Sequence, residues 1–368
     1  MTGAQPTAVG IVGLGVISGQ YLSTLADAAG IRIAAVADLD ASRARAAADA
    51  LPGCRALTTD ELVAADGIRT VLNLTIPAAH AEVALAAIAY GKDVYGEKPL
   101  AATFADAQRV MDAATSAGVR VGGAPDTVLG TGVQTARAAI DDGRIGQPVS
   151  ASAMWISAGH ESWHPQPDFY YREGGGPLLD MGPYYVTSLV QLLGPVTAVS
   201  GAGSRSRDAR VIGSGPRAGE RIPVEVDTHL TGILHHASGA ISTVTMSFDG
   251  VRSTAQPIEV HGVDGSLVVP DPNGFAGDVR LHERGGEWQT LEPWAGYVDA
   301  GRGIGLVDLA RAADGADGRA SGAMALHVLE IMTALASSAA SGIREPLRTT
   351  VERPSLVPLT PASTWRSL

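Results

Sequence analysis

AVGIVGLGVISG, residues Ala8–Gly19, decides the fold of this chain. An apolar run ends on Gly13-Leu14-Gly15, and the small Ser18 and Gly19 come directly after that turn. This is the G-x-G-x-x-G/A arrangement of a strand that turns tightly into a helix. Gly13 permits the turn. Gly15 lets a pyrophosphate approach the backbone, with its charge on the helix N-terminus, and Val16 and Ile17 join the two glycines as candidate cofactor residues. Asp38 comes after the next apolar run, Arg32–Ala37. A carboxylate there accepts both hydroxyls of a ribose and repels a 2′-phosphate, so NAD is expected over NADP. Arg43 and Arg45, on the next helix, could soften that preference or stand as solvated helix-face residues.

The alternation continues outward from that turn. Strand-like Ala8–Val12, Arg32–Ala37, Thr70–Leu74 and Arg120–Gly123 are interleaved with helical stretches at Ser18–Ala29, 40–51, His80–Tyr90 and Phe104–Ala117. Asp40 is the expected N-cap of the second helix. KDVYGEKPL, Lys92–Leu100, reads as a strand running into a turn. Such alternation builds a parallel, doubly wound sheet. Ligands of these sheets bind outside the strand C-termini. Thr75, Pro77, His80, Glu97 and Lys98 therefore join the candidate cofactor residues. His80 equally fits a helix-start residue with a structural partner, and Glu97-Lys98 an exposed charged turn. At a strand end, however, a lysine ammonium can hydrogen-bond a substrate hydroxyl and favour its alkoxide.

The pattern changes after Asp126. A helix is expected at Gly132–Asp142. Strand-like runs come next at Pro148–Ala158, Val196–Ser204, Val226–His235, Ala240–Phe248, Ile258–His261, Ser266–Val269 and Val279–Glu283, with a closing helix at Met324–Ser338. Few helices separate these strands, so a large, mainly antiparallel sheet is expected. Ser204–Pro223 is long and polar for a plain connection, as functional or mobile loops are. GGGPLLDMGPYYVTSLVQLLG, Gly174–Gly194, reads as a buried helix carrying one polar stripe of Asp180, Tyr184, Thr187 and Gln191.

The chain has 368 residues, 27 basic against 38 acidic, for a formal charge of −11. No basic run offers a nucleic-acid surface. One cysteine, Cys54, rules out an intramolecular disulfide. The opening residues lack the basic region of a signal peptide, and no membrane span is expected. A cytoplasmic protein of two domains is the expectation.

Four segments in order, Gly13–Ser18, Thr75–His80, Glu97-Lys98-Pro99 and Gly174–Thr187, resemble the glucose–fructose oxidoreductase/inositol dehydrogenase (Gfo/Idh/MocA) family. The resemblance covers most of the chain. It implies a Rossmann domain over residues 1–125, a substrate-binding and oligomerisation α/β domain over 126–345 and a C-terminal segment over 346–368. It also implies a homodimer or homotetramer, and a nicotinamide cofactor acting on a sugar, glycoside or cyclitol. The family pattern G-G-G-x-x-x-D-x-G-x-H-x-x-D is matched at Asp180 and Gly182, but its histidine position holds Tyr184 and its last aspartate position Thr187. An arginine common in the family near Asp126 is absent, so Asp126 either binds substrate hydroxyls or caps structure.

The group that moves the proton is left open among Tyr184, Lys98 and the segment HESWHPQPDFYY, His160–Tyr171. There, His160, Glu161, Trp163, His164 and Tyr170 combine rings that stack on sugar C–H faces with polar groups for hydroxyls. His160, Glu161 and His164 as metal ligands are disfavoured by the interrupting prolines and Trp163. No metal is expected. The leading functional expectation is NAD-dependent oxidation of a secondary hydroxyl. Lys98 would polarise the oxygen, Asp180 would orient it, and His164 or Tyr184 would relay the proton. The alternative is an NAD-dependent glycoside hydrolase that oxidises carbon 3 transiently, eliminates, adds water and reduces again. A dinucleotide-binding regulator is a third reading.

Overall fold

A computed structural model describes residues 6–313 and 315–366. The chain forms two compact units. The first comprises 1–131, 295–326 and 357–368, the second 132–294 and 327–356. The expected linear division misses that residues after the large sheet return to the first unit.

In the first unit, β1 (Thr7–Val12), β2 (Ile31–Ala37), β3 (Arg55–Leu57), β4 (Thr70–Asn73), β5 (Asp93–Gly96) and β6 (Val121–Gly123) form a parallel sheet in the order β3-β2-β1-β4-β5-β6. Strand β1 is almost wholly buried because helices cover both faces, which is why it reads as an unbroken apolar run. The crossovers contain α1 (Ser18–Ala26), α2 (Ala41–Asp49), α3 (Thr59–Ala64), α4 (Pro77–Ala89) and α5 (Phe104–Ala117). Asp40 caps α2 as expected, accepting from the Ser42 and Arg43 N–H groups. The strand order reverses between β1 and β4, so their C-terminal ends flank the sheet's ligand crevice.

In the second unit, α6 (Thr131–Asp141) precedes β7 (Pro148–Ile156), and α7 (Gly176–Leu193) precedes β8 (Val196–Ser204). Two short strands, β9 (Ala209–Val211) and β10 (Arg221–Pro223), pair antiparallel on their own. Ser204–Pro223 is thus a built hairpin where sequence suggested a loop. Then come β11 (His229–His236), β12 (Ile241–Ser247), β13 (Ile258–Gly262), β14 (Gly265–Val269), β15 (Val279–Glu283) and β16 (Gln289–Leu291). The return to the first unit contains α8 (Ile304–Arg311). Finally α9 (Gly322–Ser341) precedes the short β17 (Glu345–Pro346). The nine-stranded sheet runs β16-β15-β14-β13-β7-β12-β11-β8-β17, antiparallel except where β7 pairs β12.

By length and hydropathy α9 would cross a bilayer. In the fold it is a core helix: Val328, Leu329, Ile331, Met332 and Leu335 are buried. Its polar groups also have partners. His327 Nε2 accepts the Val196 N–H at 3.0 Å, and Glu330 accepts the Arg348 and Thr349 N–H groups at 2.9 and 2.8 Å.

The return segment 295–326 is fixed by polar contacts distant in sequence. The Tyr297 hydroxyl donates to Asp308 at 2.8 Å, and Arg319 also bonds Asp308. Arg120, paired with Asp93 at 2.7 Å, donates to the Leu309 carbonyl at 3.0 Å.

Candidate active site

The dinucleotide cradle lies at the ends of β1, β2 and β4. Gly13 has φ 94°, and a Cβ there would stand 2.7 Å from the Leu74 backbone, so only glycine fits. A Cβ on Gly15 would meet nothing within 4 Å, leaving the turn open to a bulky group. Helix α1 begins there with no side chain capping its N-terminus, and the Ser18 and Gln20 N–H groups bond back to the Gly15 and Ile17 carbonyls, so the positive end of the helix dipole faces the turn. Asp38 accepts the Leu14 N–H at 2.7 Å and the Asp40 N–H at 2.8 Å, which fixes its carboxylate beside the glycine turn. Arg43, its side chain 52% exposed, lies 3.4 Å from Asp38. Val16, Leu39 and Ile76 are 101%, 103% and 69% exposed. Apolar side chains so exposed around a glycine turn fit the rim of a planar ligand. Of the other expected cofactor residues, Ile17 is half-buried at the helix start and Pro77 is exposed as the first residue of α4.

The exit of β4 and the Glu-Lys-Pro turn after β5 are wired together. Asn73 donates to the His80 carbonyl at 3.0 Å and accepts the Thr75 hydroxyl at 2.6 Å. His80 is buried, with Nδ1 2.6 Å from the Pro99 carbonyl and Nε2 3.0 Å from the Thr75 carbonyl. Glu97 accepts the Tyr21 hydroxyl at 2.8 Å on one oxygen and the Lys98 N–H at 2.8 Å on the other. Lys98, half-buried, stands at the C-terminal edge of the sheet, where the sequence placed it. The Lys98-Pro99 peptide is cis.

Asp126 is fully buried. One oxygen accepts the Gly303 and Gly305 N–H groups at 2.7 and 3.0 Å, at the start of α8, and the other has no hydrogen-bond partner among the described residues. Burial pushes its carboxyl up to about 6, with Glu97 adding, while the two N–H groups and Arg302 pull the other way. The geometry is that of the structural cap, the second of the two sequence alternatives.

In the second unit, Asp180 on α7 meets His160 from the 3-10 turn His160–Ser162, with Oδ2 and Nε2 2.8 Å apart. Four rings surround the imidazole, those of Tyr170, Phe248, Trp163 and Trp155, at centroid distances of 4.4, 4.8, 5.1 and 5.8 Å. His164 is half-buried, its Nδ1 accepting the Gln166 N–H at 3.1 Å. Trp163 and Phe169 are 58% and 56% exposed on either side of it. Tyr170 is half-buried; burial raises its phenol's pKa, with Asp180 and Tyr184 adding, so both lie near it.

The polar stripe of α7 does not stay one surface. Tyr184, Thr187 and Gln191 are all buried and only Asp180 is half-buried, while Gln191 accepts Arg137 at 2.9 Å. Only the Asp180 and Tyr184 end belongs with His160 and Tyr170.

Glu161 points away from that cluster. It pairs with Arg210 on β9 at 2.9 Å and accepts the Tyr171 hydroxyl. Arg210 also bonds Asp249, which accepts Thr228 at 2.7 Å. Tyr171, Ile212, Ile222, Val224 and Phe248 close a small core over this buried network. His160 and Glu161 thus have separate partners and do not converge as metal ligands. Nothing in the composition of Ser204–Pro223 announced that Arg210 would anchor the histidine segment; only the tertiary fold pairs residues so far apart.

A glycine turn at a parallel-sheet crevice with a fixed ribose-type carboxylate defines a dinucleotide-binding protein of the Rossmann class. Residues 7–123 match the oxidoreductase family with an NAD-binding Rossmann fold, and residues 133–268 match the GFO/IDH/MocA C-terminal domain. The chain belongs to the GFO/IDH/MocA family. The 1,5-anhydro-D-fructose reductase of Ensifer adhaerens is 28% identical over 70% of this chain and 74% of its own length. The inositol 2-dehydrogenase of Salmonella typhimurium is 33% identical over 44% of this chain, and the match spans half of that enzyme's length. A levoglucosan dehydrogenase solved with NADH superposes with a TM-score of 0.80 over 94% of this chain and all of its own, at 22% identity.

Proposed function

We propose that this protein is an NAD-dependent oxidoreductase that takes hydride from a ring carbinol of a sugar, glycoside or cyclitol, or returns it to the ketone. Its relatives are named for anhydrofructose, inositol and levoglucosan, all cyclic and rich in hydroxyls. Bound NAD would supply the two-electron acceptor for the carbinol C–H. Gly13, Gly15 and the start of α1 would hold its pyrophosphate, and Asp38 its ribose. Thr75 and Pro77 would line the crevice beside them.

Within the chain, Lys98 would hydrogen-bond the carbinol oxygen and stabilise the charge that develops there. Glu97 holds the backbone of that turn and His80 braces it. Asp180 and Tyr184 would orient neighbouring hydroxyls, and Trp163, Phe169 and Tyr170 would stack on the ring's C–H faces. The observation that carries this reading is the fixed Asp38 carboxylate beside an open glycine turn in the same unit as a braced Glu97-Lys98 turn. The exposed face of the nine-stranded sheet, with Thr231, Ile233 and Thr243, is the proposed contact of a homodimer or homotetramer.

The test is cofactor reduction by a panel of sugars, glycosides and cyclitols. Net reduced cofactor with at least one supports the dehydrogenase; none with any opposes it. The histidine and tyrosine groups around Asp180 also suit the second reading, a redox-neutral glycosidase, because elimination needs a base for a ring C–H. That enzyme would cleave glycosides without net reduced cofactor and would place solvent deuterium beside the oxidised carbon.

A further inference from the structure

Four residues after Asp180, α7 carries Tyr184. A phenol, with an ordinary pKa of about 10, is a weak proton acceptor near neutrality. The fold supplies an imidazole from elsewhere. His160 Nε2 lies 2.8 Å from Asp180 Oδ2. An ionised carboxylate only accepts, so the pairing puts the proton on Nε2 and leaves the Nδ1 lone pair as the basic site. Nδ1 has no hydrogen-bond partner among the described residues. The ring is clamped by Tyr170, Phe248, Trp163 and Trp155. The turn that carries it is pinned one residue later, where Glu161 is held by Arg210 and Tyr171.

Charged and titratable groups near the imidazole come from several elements. Asp180 and Tyr184 come from α7 and Tyr170 from the turn Asp168–Tyr170. Glu161 on its own turn is paired with Arg210, whose second carboxylate is Asp249. Trp155 on β7 and Phe248 after β12 carry no charge. Asp180 is therefore the carboxylate placed to orient the ring and to stabilise it as a cation, the arrangement that makes a histidine a general base.

We propose that His160, held by Asp180, takes the carbinol proton in this enzyme. The proposal rests on the hydride-transfer reading. Oxidation of a secondary alcohol to a ketone removes the C–H as hydride, which goes to the oxidised cofactor, and the O–H as a proton. That proton goes to Nδ1, Asp180 stabilises the imidazolium, and the imidazolium returns it to solvent before the next turnover. The reverse reduction draws the same proton from the same atom.

Two measurements test it. In His160→Gln the amide can still donate to Asp180 near the Nε2 position but accepts no proton. With a substrate from the panel, kcat falls about 10²- to 10³-fold. KM stays within about threefold and NAD affinity within about twofold, since a general base contributes to the chemical step more than to binding. The acid limb of the wild-type kcat/KM profile disappears. A folded His160→Gln enzyme with wild-type kcat and pH profile overturns the proposal, as does a loss confined to KM and thermal stability. The second measurement needs no substrate. In ¹⁵N-histidine-labelled protein, with the His160 signal assigned by its loss in His160→Gln, the neutral ring is the Nε2–H tautomer. An Nδ1–H tautomer overturns the proposal. If the wild type oxidises nothing in the panel, the functional reading fails, and the tautomer still decides the pair.

Discussion

The Tyr21 hydroxyl on α1 donates to Glu97 at 2.8 Å, and the other Glu97 oxygen accepts the Lys98 N–H. The helix that begins at the glycine turn is therefore joined to the turn that carries the lysine. Tyr21 is fully buried and Glu97 nearly so. Tyr21→Phe leaves a buried carboxylate oxygen without its donor, which costs about 1–3 kcal/mol. The expected result is that loss in urea unfolding with a lower kcat. Unchanged stability would show that Glu97 finds another donor.

Asp38 and Arg43 are the proposed determinants of the cofactor preference. Removing the carboxylate in Asp38→Ser takes away a charged acceptor worth about 1.5–3 kcal/mol to a ribose hydroxyl, or about 10- to 100-fold in affinity. Arg43 then stands ready for a 2′-phosphate. NAD affinity should fall by that factor while NADP affinity rises, measured by calorimetric titration of each cofactor. A variant that loses both equally would place the ribose elsewhere.

Asp126 makes stability depend on pH in a direction unusual for an aspartate. Its folded carboxyl is raised to about 6 from an ordinary 3.8. The folded state then holds more protons than the unfolded state between those values, so stability falls as pH rises. The contribution is whole below about pH 3.8 and lost through about pH 6, leaving a cost on the order of 3 kcal/mol at neutrality. Asp126→Asn keeps an oxygen for the Gly303 and Gly305 N–H groups and removes the titration. The stability difference between variant and wild type should therefore shift in favour of the variant from pH 5 to pH 7.5. A constant difference would mean that Asp126 titrates alike in both states.

Arg210 holds two carboxylates, Glu161 and Asp249, in a nearly dry network. Arg210→Met leaves both without their cation, and breaking a buried pair costs about 3–5 kcal/mol. Hydrogen exchange should rise in β9, β10 and the turn at His160–Ser162 before the rest of the unit opens. Protection retained there would show that the aromatic contacts alone hold the histidine.

Trp163 is more than half exposed, so truncating it should leave thermal stability nearly unchanged. Stacking on a sugar face is worth about 1 kcal/mol, so Trp163→Ala should raise KM about fivefold. An unchanged KM would remove Trp163 from the substrate site.

Much of this arrangement was legible along the chain. The turn at Gly13–Ser18 and the acid at Asp38 are local consequences of how a strand enters a helix beside a phosphate, so sequence spacing carries them. The cap at Asp40 is local in the same way. Helix α3 went unread although Thr58 and Glu61 form a capping box, because its pattern is only six residues long. What the sequence withheld depends on distant pairing. The partnership of His160 with Asp180 and that of Glu161 with Arg210 arise only when α7 and the β9–β10 hairpin close on the segment between them. Neighbouring residues of one polar, aromatic run thus take opposite roles. The return of residues 295–326 to the first unit rests likewise on Asp308 and Asp126, whose partners have no periodic signature.

The central claim is that a carbinol C–H gives its hydrogen directly to the nicotinamide. The most direct measurement uses a panel substrate deuterated at its ring carbinol carbons, incubated with oxidised cofactor and protein, and reads the recovered cofactor by NMR. Deuterium on the nicotinamide ring is the predicted result, with its appearance slowed about 10²-fold or more in Lys98→Met. A reduced cofactor free of deuterium, or labelling that proceeds equally fast without Lys98, would contradict the account.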